Sequence, residues 1–402
     1  MPRQLPVDEL VSDPYPIYAA LRAEGPAAAV EVRPGYQVWM VTRYVEARQA
    51  LANPALGNDP GNGRWMADVV GDAVNAAMNK HLLRADPPDH TRLRRLVSKA
   101  FSGTRVAALA PWISKLADEL LDRIEPGEKV DLLDSFALPL PLQVICELLG
   151  IPAGDRHLFR DWSDVIISGA HQRDRYKDMA EALVAYVQRL TAVKRADPQD
   201  DLLSDLISVR DDDDQLSDQE LTAMVVLLLF AGHETTMNLL GTGLFLLLTH
   251  PEQWAALRAD RSLVPAAVEE MLRYEAPLRT AFPRYAREGV QIGDVTIPVG
   301  AVVMIALQSA NHDERRYVSN DDFDLARTSA THLAFGHGIH FCVGAPLARL
   351  EGRIAFNALL DRYESISLAV PPEDLRWRFS TLIRGLESLP VIGTEAVSRQ
   401  RQ

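Results

Sequence analysis

The chain has 402 residues, 47% hydrophobic and 24% charged, which are ordinary values for a folded protein and leave no case for disorder. Its formal net charge of −13 opposes binding to nucleic acid or to an anionic membrane surface. The two cysteines, Cys146 and Cys342, could join only if their Cα atoms came within about 7 Å, and a closed zinc site would need more ligands than they supply.

From the N-terminus, Asp8, Glu9 and Asp13 interrupt any basic-then-apolar leader, so no secretion signal is expected. Helical periodicity dominates, with strands expected near 37–42, 290–297 and 301–307. Residues 53–84 are polar and rich in glycine and proline (Gly57, Pro60, Gly61, Gly63, Gly71), and read as a long connection of the kind that serves as a lid. Asp86-Pro87-Pro88-Asp89 forms a turn feeding a helix on which His90 and Arg94 share a face. Cys146 sits in the apolar helical pattern of 142–149 and reads as core. The four aspartates 211–214 read as a solvated loop.

Ser217 with Glu220 reads as a capping box that opens a helix reaching about residue 249. The most apolar run, 221–232, is about twelve residues, too short for a bilayer core of about 30 Å. These features indicate a cytoplasmic protein. Ala231-Gly232-His233-Glu234-Thr235-Thr236 interrupts the apolar run: Gly232 opens space, Thr235 can bond a carbonyl one turn back, and Glu234 can feed protons. Leu227, Leu228 and Ala231 are placed on the Thr235 face by helical spacing. Glu270 and Arg273 lie three apart on one helical face. Further on, Thr280, Phe282 and the tail segment 381–383, centred on Leu382, are mostly apolar candidates for a pocket.

Residues 335–344, Phe-Gly-His-Gly-Ile-His-Phe-Cys-Val-Gly, surround Cys342 with glycines and cations. Gly338 and Gly344 let the backbone turn tightly without colliding with a flat ring, and Pro346 can open a helix whose N-terminus favours a thiolate. A single thiolate with a helix behind it suits haem iron. His340 fits a donor to a propionate, and Phe335 fits a ring-edge contact. An inert buried cysteine, or a metal site from His332, His337, His340 and Cys342, stand as alternatives.

The pattern Phe335-x-x-Gly338-x-His340-x-Cys342-x-Gly344 resembles the haem loop of the cytochrome P-450 family. Three further motifs resemble that family in order. Glu234-Thr235 looks like its acid-alcohol pair. Glu270-x-x-Arg273 looks like its buried structural pair, although Asp322, before Phe323-Asp324, stands where a basic third partner is common and leaves that contact open. His90, Arg94 and Arg284 look like its propionate ligands.

The resemblance implies a mainly α fold with small β-sheets (α+β), a triangular prism enclosing haem between the long central helix and the Cys-loop helix. It implies one domain over 1–402, with a β-containing part over about 1–50 and no reductase domain. The implied activity is monooxygenation: hydroxylation or epoxidation of a lipophilic molecule, using haem b (iron protoporphyrin IX), O2, and electrons from NAD(P)H through a ferredoxin reductase and a ferredoxin. The closest look is to soluble actinobacterial tailoring enzymes, hence a polyketide macrolide, terpenoid or steroid substrate, a monomer, and no membrane anchor. Arg84, Arg92, Arg95, Lys99, Arg105, Arg349 and Arg353 are expected to form a basic docking face. A peroxide-driven peroxygenase, and a haem gas sensor, are the alternatives.

Overall fold

The computed structural model describes residues 3–59, 67–168, 173–209, 214–327 and 331–395. Its contacts group the chain into two units: Met1–Gly57, Ala110–Pro139 and Thr235–Gln402 in the first, Asn58–Leu109 and Leu140–Glu234 in the second.

In the first unit, alternating apolar residues pair Ala27–Arg33 antiparallel with Tyr36–Val41. Tyr36–Val41 then pairs in parallel with Val302–Ile305, which pairs antiparallel with Arg284–Ala286. Arg3–Gln4 and Leu56–Gly57 complete this six-stranded sheet. One face packs on the Tyr44–Ala52 helix through Val41, Ala47, Leu51, Val303 and Ile305. Strands were expected over 37–42 and 301–307, and both form; 290–297 is a hairpin of Val290–Ile292 with Val295–Ile297. A second sheet, Tyr363–Leu368, Pro390–Glu395 and Lys129–Asp131, carries no clear signal in the sequence.

Helix Ala345–Arg362 packs on Ala110–Leu121 and on Val264–Tyr274. The second half of the long Asp218–Thr249 helix meets these neighbours where Phe356 and Met271 come against Gly243. On Val264–Tyr274, Glu270 and Arg273 are fully buried and joined by two hydrogen bonds of 2.7 and 2.8 Å. The third contact left open by Asp322 is present, from a different residue. Arg327 donates to Glu270 at 3.1 Å, and Arg273 donates to the carbonyls of Asn311, Asn320 and Asp322, each at 3.0 Å. Asp322 therefore contributes its main chain, and the basic side chain follows the Phe323-Asp324 step.

A second buried charge cluster has no sequence signature. Arg279 donates to the carbonyls of Leu10 and Val11, and Arg384 to those of Val11 and Ser12 and to Glu275. Those carbonyls end the Val7–Ser12 helix, so two guanidiniums meet the negative end of its dipole. Burial, followed by the neighbouring Arg384 charge, pulls Arg279 down to about 10.

The second unit is helical. Arg173–Ala196 packs on Ala67–Asn79, Leu202–Ser208 and Arg156–Ser168. Residues 53–84 are thus more than a connection: they hold a short strand, the Ala67–Asn79 helix and a 3-10 turn at Leu82–Arg84. Burial of Val70, Ala77 and Met78 stabilises that helix despite Gly71, although residues 60–66 of the reading lie outside the described residues. Lys194 and Asp201 form a buried ion pair, and Asp201 also caps Leu202–Ser208 by accepting from Ser204 N–H at 2.8 Å.

The Ser217–Glu220 capping box forms: Ser217 N–H and Oγ each donate to Glu220 at 2.9 Å. Arg92 also pairs with Glu220. Burial raises the Glu220 carboxyl, but these donors outweigh it and hold the group below the usual carboxylate range. Of 211–214 only Asp214 is described, and it reaches Arg92 at 3.4 Å. The helix opened by this box is 32 residues, long and apolar enough to cross a bilayer, so shortness does not argue against a span. What does is that 72% of its most apolar window is buried inside the chain, as in a core helix.

Two stability predictions follow from these contacts. Glu270→Ala strands Arg273 and Arg327 around a buried site and is expected to cost about 3–5 kcal/mol in denaturant unfolding. Ser217→Ala, which removes one half of the capping box, is expected to cost about 1 kcal/mol in the same measurement.

Candidate active site

The turn that carries Cys342 is closed by its own backbone. Gly336 N–H donates to Leu333 O at 2.8 Å, Phe341 N–H to Gly338 O at 3.0 Å, and Cys342 N–H to Phe335 O at 3.0 Å. Gly338 has φ 76°, and a Cβ there would stand 3.1 Å from Leu51 O and from the Ala52 Cα. Its missing side chain is therefore explained by the neighbouring helix before any bound ring is considered. Helix Ala345–Arg362 begins at the Gly344 cap with Pro346 in its first turn, so its N-terminus starts just past Cys342. Cys342 is exposed and Cys146 buried, and neither is in a disulfide. Burial pushes the Cys146 thiol up to about 12, which makes it inert at neutral pH.

Three other titratable groups near this turn, Arg349, Glu269 and His332, engage one another. Arg349 donates twice to Glu269, at 2.6 and 2.8 Å, and its guanidinium lies over the Phe335 ring at 4.5 Å. His332 Nε2 reaches Glu269 at 3.2 Å, while its Nδ1 accepts Ala334 N–H. Burial raises Glu269, but Arg349 and then His332 more than offset it and bring the carboxyl down to about 2. Among the described residues no group of three or more His, Cys, Asp or Glu side chains is placed to hold a metal. The alternative of a site from His332, His337, His340 and Cys342 is not assembled.

Arg284 is buried on its strand opposite Val303, Thr280 is buried, and Phe282 is half-buried. Arg279 N–H donates to Leu382 O at 2.8 Å and Leu278 bridges Ile383, so the tail segment lies along Leu278–Thr280 with Leu382 opposite Arg279. His340 is half-buried in the 3-10 turn Gly338–His340.

On the Asp89–Ala100 helix His90 is buried and Arg94 half-buried one turn later, whereas Thr91, Arg95, Ser98 and Lys99 form the exposed face. Two arginines expected on a basic face are spent within this unit: Arg92 on Glu220, and Arg105 on Asp205 and Asp200. Arg349 is spent likewise on Glu269.

Along the long helix, Leu227, Ala231 and Thr235 fall one turn apart on a stripe open to solvent, with Ala231 exposed in the middle of a buried helix. Leu228 is buried on another face, and Glu234 is buried. Gly232 opens no void: a Cβ there would come within 2.8 Å of the Ile145 side chain, so the glycine admits a packing neighbour. His233 Nδ1 donates to Leu229 O at 2.6 Å, a back-bond one turn earlier.

This donor set fits haem b: one exposed sulfur ahead of a helix N-terminus, no cluster of metal-ligating side chains among the described residues, and separate guanidinium and imidazole groups suited to carboxylates. The comparisons agree with that chemistry. A family model described as "Cytochrome P450" matches residues 157–384. Cytochrome P450 107B1 of Saccharopolyspora erythraea is 46% identical over 390 residues, 96% of each chain. The 6-deoxyerythronolide B hydroxylase of the same organism is 42% identical over 96% of this chain and 97% of its own. The solved tirandamycin C-bound P450 monooxygenase TamI superposes with a TM-score of 0.90 at 46% identity, covering 98% of this chain and all of its own. With its fold, its thiol-bearing turn and its full-length relatives in accord, the chain belongs to the cytochrome P450 family of monooxygenases.

Proposed function

We propose that this monooxygenase hydroxylates or epoxidises a lipophilic secondary metabolite of polyketide macrolactone type, as a single catalytic domain and a cytoplasmic monomer. Its electrons come from NAD(P)H through a separate ferredoxin reductase and ferredoxin. The observation that carries the reading is Cys342, an exposed thiol on a self-bonded turn at the start of a helix.

Haem b, when bound through Cys342, supplies the redox iron at which O2 is activated, with the thiolate favouring O–O cleavage. The chain's own residues do the rest. His90, Arg94, Arg284 and His340 would hold its propionates by charge-assisted hydrogen bonds, and Phe335 would support the ring edge. Thr235, on the open stripe, holds a proton-donating hydroxyl at the oxygen site, and buried Glu234 passes protons towards it. Leu227 and Ala231 on the same stripe, with Thr280, Phe282 and Leu382, exclude water and orient an apolar substrate. Leu228 supports that wall from behind.

The polyketide assignment is supported by that apolar lining and by relatives whose names carry 6-deoxyerythronolide B and tirandamycin C. Ferredoxin docking is supported by Arg95 and Lys99 on an exposed helix face and by exposed Arg353.

Reduced protein under carbon monoxide is expected to show the absorption band of thiolate ligation, and Cys342→Ser to lose it. Thr235→Ala is expected to retain haem and NADPH oxidation but to release peroxide, with product falling about tenfold or more, as for loss of a proton-relay group. Unchanged coupling would remove Thr235 from the relay. Titration with macrolactones, terpenoids and steroids, followed by the low-spin to high-spin Soret shift, separates the substrate classes.

A further inference from the structure

The geometry points to a second role for the Arg349–Glu269 pair, as the charge balance that sets the reduction potential of the iron ligated by Cys342. This inference rests on the haem-thiolate reading above.

Glu269 and Glu270 are neighbours on one helix with divergent tasks. Glu270 turns to Arg273 and Arg327 and is sealed from solvent, whereas Glu269 turns to Arg349 and His332. Arg349 lies seven residues past Cys342, about one helical turn into Ala345–Arg362. It is tied to the sulfur's turn by a short relay: its guanidinium covers the Phe335 ring at 4.5 Å, and Phe335 O accepts Cys342 N–H at 3.0 Å. Arg349, Glu269, His332, Phe335 and Phe341 also line one cleft of about 360 Å3, together with Tyr44.

The pair is 33% and 24% exposed, so its charges are only partly screened. The Glu269 hydrogen bonds raise Arg349 against the opposing effect of burial, and the charges of Glu269 and then Cys342 add to them. As built, plus and minus cancel near the sulfur. Removing either one leaves a lone charge of known sign.

Reduction adds one electron to the site. A lone Arg349 cation therefore stabilises the reduced form, and a lone Glu269 anion destabilises it. Glu269→Gln is expected to raise the ferric-to-ferrous potential and Arg349→Gln to lower it, by up to about tenfold in the reduction equilibrium, or about 59 mV for one electron. The double variant returns near the parent value, and Arg349→Lys, which keeps the charge but loses the fork, stays near it too.

A clamp that only braces the turn would move both single variants in the same direction, or neither. Spectroelectrochemical titration of the haem-loaded proteins reads the difference. Shifts of the same sign, or none in Glu269→Gln, overturn the proposal. Should Arg349→Gln lose its haem, Glu269→Gln against Arg349→Lys carries the test: a rise in the first with none in the second supports the role, and any other result overturns it. If the unsubstituted protein lacks the thiolate band, the haem reading itself has failed, which is a separate outcome.

Discussion

Two arginines on one buried carboxylate constrain the region that presents the thiol. Glu270, with Arg273 and Arg327, is taken out of water, and such a group is tolerated only when every donor and acceptor is satisfied. The satisfaction comes from main-chain carbonyls of 311, 320 and 322, and from Asp324 N–H, which donates to Glu270 at 3.2 Å. The irregular segment 311–327 is thereby fixed by polar contacts in place of a regular ladder. In sequence this segment precedes the turn around Cys342, which is closed by its own backbone bonds.

The same economy of charge governs the rest of the surface. The sequence carries many basic residues between 84 and 105 and again at 349–353, and they read naturally as one patch. Side-chain geometry divides them instead: Arg92, Arg105 and Arg349 close ion pairs within their own units, while Arg95, Lys99 and Arg353 keep to exposed positions.

Legibility varied with the kind of signal. The capping box, the long helix and the Cys342 turn were readable because each rests on local spacing, which survives folding unchanged. The strand Tyr363–Leu368 was not, because it follows Arg362 with no glycine or proline to mark the helix end and alternates weakly between polar and apolar residues. The helix Ala67–Asn79 was obscured by Gly71 and made by packing on a helix a hundred residues away. Gly232 was misread for a related reason: its neighbour Ile145 is distant in sequence, and a glycine in a helix looks the same whether it makes a cavity or fills one with another residue. The roles of Glu269 and Arg327 depended on which of several nearby acids and bases turned towards which, a choice no spacing rule makes.

The clamp formed by Arg279 and Arg384 has a practical side. Their guanidiniums end on carbonyls of residues 10, 11 and 12, so the Val7–Ser12 helix acts as a built-in counterweight for two interior cations, only one of which Glu275 can balance. Trimming this leader to shorten an expression product would unseat residues nearly 270 and 373 positions further along. Tags and fusions belong as additions ahead of it, never as replacements for it.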